Sequence, residues 1–410
     1  MAERSLDGVR VVEFTGEAGA YCGRLLADLG AEVIKVEPPD GGLARHIPPY
    51  FHGQEGPDTS LAFWVHNTSK KSVVLDLDQS GDQRKARQLA LGADIVLEDC
   101  PVGYLAERGL GYEELKGEKP ALVYTSVTGF GQTGPHAGFS FSDIVGQAMG
   151  GIMTLAGEPE DPPNMIVGNQ AYASASVHAA QGTLVALLHA EATGAGQHVD
   201  VSAQEALSMS QETAMQTWDL QKRNRVRTGE RGMLPISLPA VGVYPTQDGH
   251  VSLFVLAPGG ADFPAFVEWM RENGMAGDLD QEPYASLVPQ LNMATITQYM
   301  MNPDSAQEVI PQLQHINELV RDFVASMSSV QMYEEGQGRN LLVGIVSTPE
   351  NLAHNSQLRA REWYVGVGFD YLQATLEFPG PPYRLSETPA VITRPPRLGE
   401  HTDETLAALK

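Results

Sequence analysis

Short apolar runs recur along the first third of the chain, each followed by a glycine-rich turn or a helical pattern, and this alternation leaves few folds open. Residues 9–14 read as a buried strand and residues 15–20 as a turn. Residues 21–29 read as a helix carrying Leu25, Leu26 and Leu29 on one face and stopped by Gly30. Residues 31–37 form a second apolar run, closed by Pro38 and Pro39. Strand, short helix, strand is the unit from which parallel sheets are built. The pattern repeats with strands predicted at 72–77, 93–98 and 121–127 and a polar helix at 79–91. The expected class is therefore α/β with a largely parallel sheet.

The glycines of the first turn, Gly16, Gly19 and Gly23, do not match the G-x-G-x-x-G spacing, which argues against a dinucleotide site. A second glycine-rich loop, residues 129–135, follows a predicted strand, where ligands of open α/β sheets gather. Residues 202–225 read as one long polar helix, and the Pro-broken stretch 233–242 as a crossover. Residues 243–254 read as a hairpin turning at Asp248-Gly249, and residues 263–275 and 305–327 as helices. A strand is expected at 342–346, a helix near 350–362, then extended chain and a short terminal helix. This divides the chain into residues 1–225, a smaller α+β domain at 226–335, and a C-terminal segment at 336–410.

A net charge of −24 argues against nucleic acid and anionic membranes, since both demand a cationic footprint. Two cysteines, Cys22 and Cys100, make no disulfide framework and have no metal-ligand spacing. The 11 histidines show no H-x-x-x-H pattern, so no metal site is expected. With no signal-like N-terminus and no long apolar run, a soluble cytoplasmic protein is expected. Trp64, Trp218, Trp269 and Trp363 read as packing residues, and Lys70-Lys71 as a solvated strand edge that could otherwise meet a phosphate.

One stretch carries the pattern of a site. An acidic, Pro-rich loop from Gly157 to Pro163 leads into Met165-Ile166-Val167-Gly168, and a small-residue helix is predicted over 171–189. A side chain at such a helix start faces free N–H groups and a partial positive charge. That side chain is Asn169, an amide where a carboxylate would read as a nucleophile or base.

Five dispersed blocks in order resemble the class III CoA-transferase family, which also includes carnitine CoA-transferase-like proteins and 2-methylacyl-CoA racemases. They are residues 6–14, 23–39, 71–77 and 129–135, then Tyr244-Pro245-Thr246-Gln247-Asp248-Gly249, with the run 382–402 in the same pattern. The resemblance implies a Rossmann-like large domain built from both chain ends, a small middle domain and an interlocked dimer. It also implies an aspartate that attacks an acyl-CoA thioester, forms a mixed anhydride and then carries CoA as an enzyme thioester. By the Val167-Gly168 match that aspartate falls at Asn169, and the racemase His–Asp positions read Ser142 and Asp143. Glu158, Glu160 and Asp161 are the neighbouring acids that could stand in.

The CoA-contact positions implied by the family are degenerate as well. Pro38 stands where many members carry a phosphate-binding Arg, with Arg45 the nearest cation. Asp99-Cys100 replaces an Asn-Phe or Asn-Arg pair, Glu107 beside Arg108 replaces an Arg, and Ser140 replaces a Lys, while Leu75 sits at a main-chain contact position. The resemblance therefore implies a chain relieved of catalysis, with no catalytic residue of its own and no cofactor held. Its partner would be a homologous subunit bearing the aspartate, with acyl-CoA thioesters as substrates of the complex. Within the family, such two-subunit enzymes are typified by one that moves CoA between succinyl-CoA and benzylsuccinate in toluene degradation. The alternatives are an active transferase or acyl-CoA isomerase using another carboxylate, and a homodimeric acyl-CoA-binding or regulatory protein without chemistry.

Overall fold

The computed structural model describes residues 4–211, 213–232, 236–256 and 262–409. The apolar runs become β1 (Arg10–Phe14), β2 (Glu32–Glu37), β3 (Lys71–Val74), β4 (Ile95–Glu98) and β5 (Val123–Thr128). Between them lie α1 (Ala20–Asp28), α2 (Leu61–His66), α3 (Ser80–Gly92) and α4 (Tyr112–Leu115). Then come α5 (Asp143–Met149), the long α6 (Gln170–Thr193), β6 (His198–Ser202), α7 (Ala203–Ser208) and α8 (Ala214–Gln221). The six strands form one all-parallel sheet in the order β3-β2-β1-β4-β5-β6. That is the doubly wound order, and it reverses between β1 and β4.

Each face of the sheet has its own core. Val11, Val33, Ile95, Leu97 and Val123 meet Leu26 of α1 and Ala175, Ala179, Ala186 and Leu187 of α6 on one face. Val12, Ile34, Val73, Val96 and Tyr124 meet Ala86, Leu89 and Ala90 of α3 on the other. The alanines of α6 let a helix of 24 residues lie close to the strands.

The polar helix expected over 202–225 is broken into α7 and α8. His198 to Ser202 pair with β5 as an edge strand, and Ser202 ends it by accepting a hydrogen bond from Glu205 N–H at 3.3 Å to cap α7. The chain then breaks through a 3-10 turn at Met209–Gln211 before α8.

Two compact units account for the chain: residues 1–152, 165–215 and 356–410 in one, and 153–164 with 216–355 in the other. The second unit holds the hairpin of β7 (Val241–Pro245) and β8 (His250–Phe254), then α9 (Phe263–Glu272), α10 (Tyr284–Leu287), α11 (Met293–Met301), α12 (Pro303–Ala325) and α13 (Ser329–Gly338). Its third strand, β9 (Val343–Ile345), pairs antiparallel with β8, and α14 (Pro349–Ala353) follows. Trp269, Phe266 and Phe323 pack edge to face at its centre. Of the stretch 233–242, residues 233–235 lie outside the described residues.

The end of the chain rejoins the first unit through α15 (Ser356–Ala360), β10 (Tyr364–Phe369), β11 (Ala374–Pro379) and α16 (Thr402–Ala407). The expected helix at 350–362 is two short helices, and part of the expected extended chain is an antiparallel hairpin. That hairpin packs Phe369 and Phe378 against Phe63 and Trp64 of α2. The tail covers the free edge of β3: Val74 N–H donates to Thr402 Oγ1 at 3.0 Å, and His401 N–H to the Ser72 carbonyl at 3.0 Å.

Candidate functional site

Where the strand order reverses, the carboxyl ends of β1 and β4 diverge and leave a crevice. A cleft of about 360 Å³ opens there, walled by the first turn (Thr15, Gly16), by Lys35, Glu37 and Pro38 of β2 and its exit, and by Gly41 to Ala44. Leu75 to Asp78 follow β3 into it, and Asp99, Cys100, Pro101 and Tyr104 follow β4. Four candidate positions, Pro38, Leu75, Asp99 and Cys100, thus meet in one cleft. Arg108 stands behind its wall, stacked 3.8 Å over Tyr104 and paired to Asp78 at 2.8 Å. Glu107 and Ser140 are both exposed, and neither lines the cleft.

The electrostatics of the cleft follow from what already holds its charges. Asp99 accepts hydrogen bonds from Gly16 N–H at 2.6 Å and Gly19 N–H at 2.9 Å, so the chain's own carboxylate takes the amides at the start of α1. Helix starts of this kind otherwise receive a phosphate. Burial pushes the Asp99 carboxyl above its usual range, against the pull of those two amides.

Lys35, the cation lining the cleft, is committed below it. Its Nζ donates to Glu13 at 3.1 Å and to the Thr15 carbonyl at 2.5 Å. Lys70 reaches the same Glu13 oxygen at 2.9 Å and is 4% exposed, which corrects its reading as a solvated edge and removes it from any phosphate. Burial lowers its ammonium to about 8. Arg45 is no free cation either: it forks onto Glu37 at 2.6 and 2.8 Å, pairs with Asp58 at 3.0 Å and lies 3.9 Å over Phe63. Among the described residues the cleft is lined by Asp76, by Asp78 paired to Arg108 and by Asp99 held on two backbone amides, and by no uncommitted cation. A polyphosphate placed there would find no free cation.

Asn169 stands at the start of α6 in the left-handed region, with φ 52° and ψ 51°, directly after Gly168 at φ +94°. Asn and Asp tolerate that backbone where branched residues do not. Its side chain makes no capping bond, because another residue has taken the helix start. Asp143 of α5 accepts from Ala171 N–H at 2.8 Å and Tyr172 N–H at 3.4 Å. The other Asp143 oxygen accepts from Gln147 Nε2 at 2.6 Å, and buried Gln147 also clamps both backbone groups of Ile166 at 2.7 and 2.9 Å. The turn before α6 is thus fixed from α5, and residue 169 is left exposed with its side-chain polar atoms unspent.

Glu17 and Gln147 escape a sequence reading. Glu17 lies in the first turn, whose Ala18 carbonyl accepts from Ser176 of α6 at 2.6 Å. Burial, then Asp99 and Asp143, raise its carboxyl above the usual range. Its only sequence signal is an acid inside a glycine-rich turn. The acids Glu158 and Glu160 belong to the second unit, where Glu158 accepts from Glu230 N–H at 3.0 Å and Glu160 meets Arg231 at 3.4 Å. Of the tryptophans, Trp64 and Trp269 are buried as expected, but Trp218 is 52% exposed. No group of three or more metal-ligating side chains occurs among the described residues, and no helix among them is long and apolar enough to cross a membrane.

Comparison with known proteins identifies the family. Residues 6–402 match the family described as CoA-transferase family III. The succinyl-CoA:(R)-benzylsuccinate CoA-transferase subunit BbsE of Thauera aromatica is 36% identical over 402 residues, spanning 97% of this chain and 92% of that one. The succinate–glutarate CoA-transferase of Agrobacterium fabrum is 30% identical, spanning 99% and 96%. A CAIB/BAIF family protein from Brucella suis superposes with a TM-score of 0.84 at 26% identity, covering 99% of this chain and all of that one.

Proposed function

The chain belongs to CoA-transferase family III, and from that membership we propose that it is the non-catalytic subunit of a two-subunit CoA-transferase. The observation that carries this reading is Asn169. Transfer of CoA between acids needs a carboxylate that can become an anhydride and then a thioester, and an amide can become neither. Asn169 keeps the exposed, left-handed position at the α6 start with its side chain free, so the scaffold of the nucleophile persists without its chemistry. The charge of the cleft supports the same reading, since Asp76, Asp78 and Asp99 face the volume where CoA phosphates would need cations.

The partner is a homologous chain that retains the aspartate, in the interlocked arrangement of the family. The outer face of α6 supports a covering partner. Val177, Val185 and Leu188 form a helical stripe there and are 48%, 62% and 67% exposed. One relative is itself named a subunit, of an enzyme acting on succinyl-CoA and (R)-benzylsuccinate. Another acts on succinate and glutarate. The substrates of the complex are accordingly succinyl-CoA and a second dicarboxylic acid, with benzylsuccinate the first to test. A cytoplasmic location is part of the same proposal.

Co-expression of the tagged chain with a homologue carrying Asp at the position of Asn169 tests the pairing. The expected product is a complex with equal amounts of the two chains. Recovery of this chain only as a homodimer, with the homologue present and folded, would contradict the proposal.

A further inference from the structure

A second polar cavity, of about 180 Å³, lies between the carboxyl ends of β4 and β5 and the segment around α4. Neither Asn169 nor any of the degenerate CoA positions lines it. Its inner wall is Glu98 and Ser126, respectively 6% and 1% exposed. Glu98 Oε2 accepts from Cys100 N–H at 2.7 Å, and Ser126 Oγ shares a hydrogen bond with His198 Nε2 at 2.9 Å. Tyr112 stacks on the His198 ring at a centroid distance of 5.6 Å and an interplanar angle of 23°.

Gln132 closes one side. Its backbone N–H is held by Asp200 at 3.0 Å, which fixes the residue, yet its side-chain Nε2 is buried without a hydrogen-bond partner. A buried donor left unpaired costs free energy, and a cavity that roomy supplies the place for an acceptor. Glu113 and Glu114 line the same cavity, and neither Lys nor Arg lines it among the described residues. Lys116, just outside, is neutralised by Glu113 at 2.5 Å. Burial holds His198 below its ordinary value, so the imidazole there is neutral and does not repel a cation.

These groups specify complementary chemistry: positive charge with N–H donors for Glu98, and one oxygen acceptor for Gln132. We infer that this cavity binds a small organic cation, a primary ammonium or guanidinium with a carbonyl or hydroxyl oxygen close by, anchored on Glu98 and oriented by Gln132. Burial first, then Asp99 and Asp200, holds the Glu98 carboxyl up at about 7, and an arriving cation supplies the charge partner that the buried acid lacks. None of the CoA-contact positions lines this cavity, although Cys100 N–H is bonded to Glu98 from behind.

Calorimetric titration of the full chain at pH 7, where the glycinamide ammonium is largely charged, tests the inference, with methylguanidinium, acetamide and acetate as comparison probes. Glycinamide is expected to bind in the millimolar range, methylguanidinium about tenfold more weakly, and acetamide and acetate without measurable heat. Glu98→Gln is expected to weaken glycinamide at least tenfold, and Gln132→Ala to bring glycinamide down to the level of methylguanidinium. Should Glu98→Gln not fold, the Gln132→Ala comparison carries the test alone. Equal binding of glycinamide and acetamide, or unchanged glycinamide affinity in the folded variants, would overturn it.

Discussion

Asn169 and Glu98 show how single side chains can be set by neighbours far away in sequence. Asp143 takes the amides at the start of α6, so the side chain at 169 is not needed as a cap, and Asn169→Asp is tolerated by the same left-handed backbone. The variant is expected to unfold in urea within about 0.5 kcal/mol of the wild type. It is also expected to give the lone chain no CoA transfer from succinyl-CoA, because the acids of the cleft remain. Robust transfer by that variant would show that the cleft still accepts CoA.

Glu98 makes a separate prediction. Its carboxyl lies at about 7 when folded against an ordinary 4.5, so the folded chain keeps a proton that the unfolded chain has lost. Stability from this group is complete below pH 4.5 and is lost as pH rises through 7. Glu98→Gln should therefore be more stable than the wild type at pH 8, by about 2–3 kcal/mol at most, and little different at pH 4.5. Urea midpoints at the two pH values decide it.

The buried pair of lysines on Glu13 behaves differently. Glu13→Gln leaves two ammonium groups without their carboxylate and is expected to cost about 3–5 kcal/mol in the same assay at pH 7. The Lys70–Glu13 contact spans 57 residues, which is why Lys70 could not be told from a solvated lysine in the sequence.

At the scale of elements, β1 to β5 are legible because a strand buried on both faces is a near-continuous apolar run. β6 is not: His-Val-Asp-Val-Ser is a five-residue, half-exposed edge with only two apolar residues, and it runs directly into α7. The first strand of the β10–β11 hairpin is hidden by Gly366 and Gly368. The position of Asn169 at a helix start is legible from Gly168 and the small-residue run after it. The capping by Asp143 and Gln147 is not, since it depends on α5 lying beside that turn. The cleft is legible only in part: the family blocks point to Pro38, Leu75, Asp99 and Cys100, but nothing in the sequence shows that Arg45 is fully buried.

α6 carries a prediction of its own at this scale. Leu188→Glu changes an exposed residue and should leave the stability of the lone chain within about 0.5 kcal/mol, yet abolish co-purification with the Asp-bearing homologue. Retained association would remove the outer face of α6 from the interface.

For the whole molecule, a net charge of −24 and an acid-lined cleft describe a chain poorly suited to hold the CoA phosphates alone. Its fold is nonetheless that of CoA-transferase family III, matched over residues 6–402. A scaffold kept intact around Asn169 is what the proposed supporting subunit would require. The most direct measurement is CoA transfer from succinyl-CoA to benzylsuccinate, followed by chromatography of the thioesters, for the chain alone and for its complex with the Asp-bearing homologue. The expected result is transfer by the complex and none by the lone chain; transfer by the lone chain at a rate comparable to the complex would contradict the account.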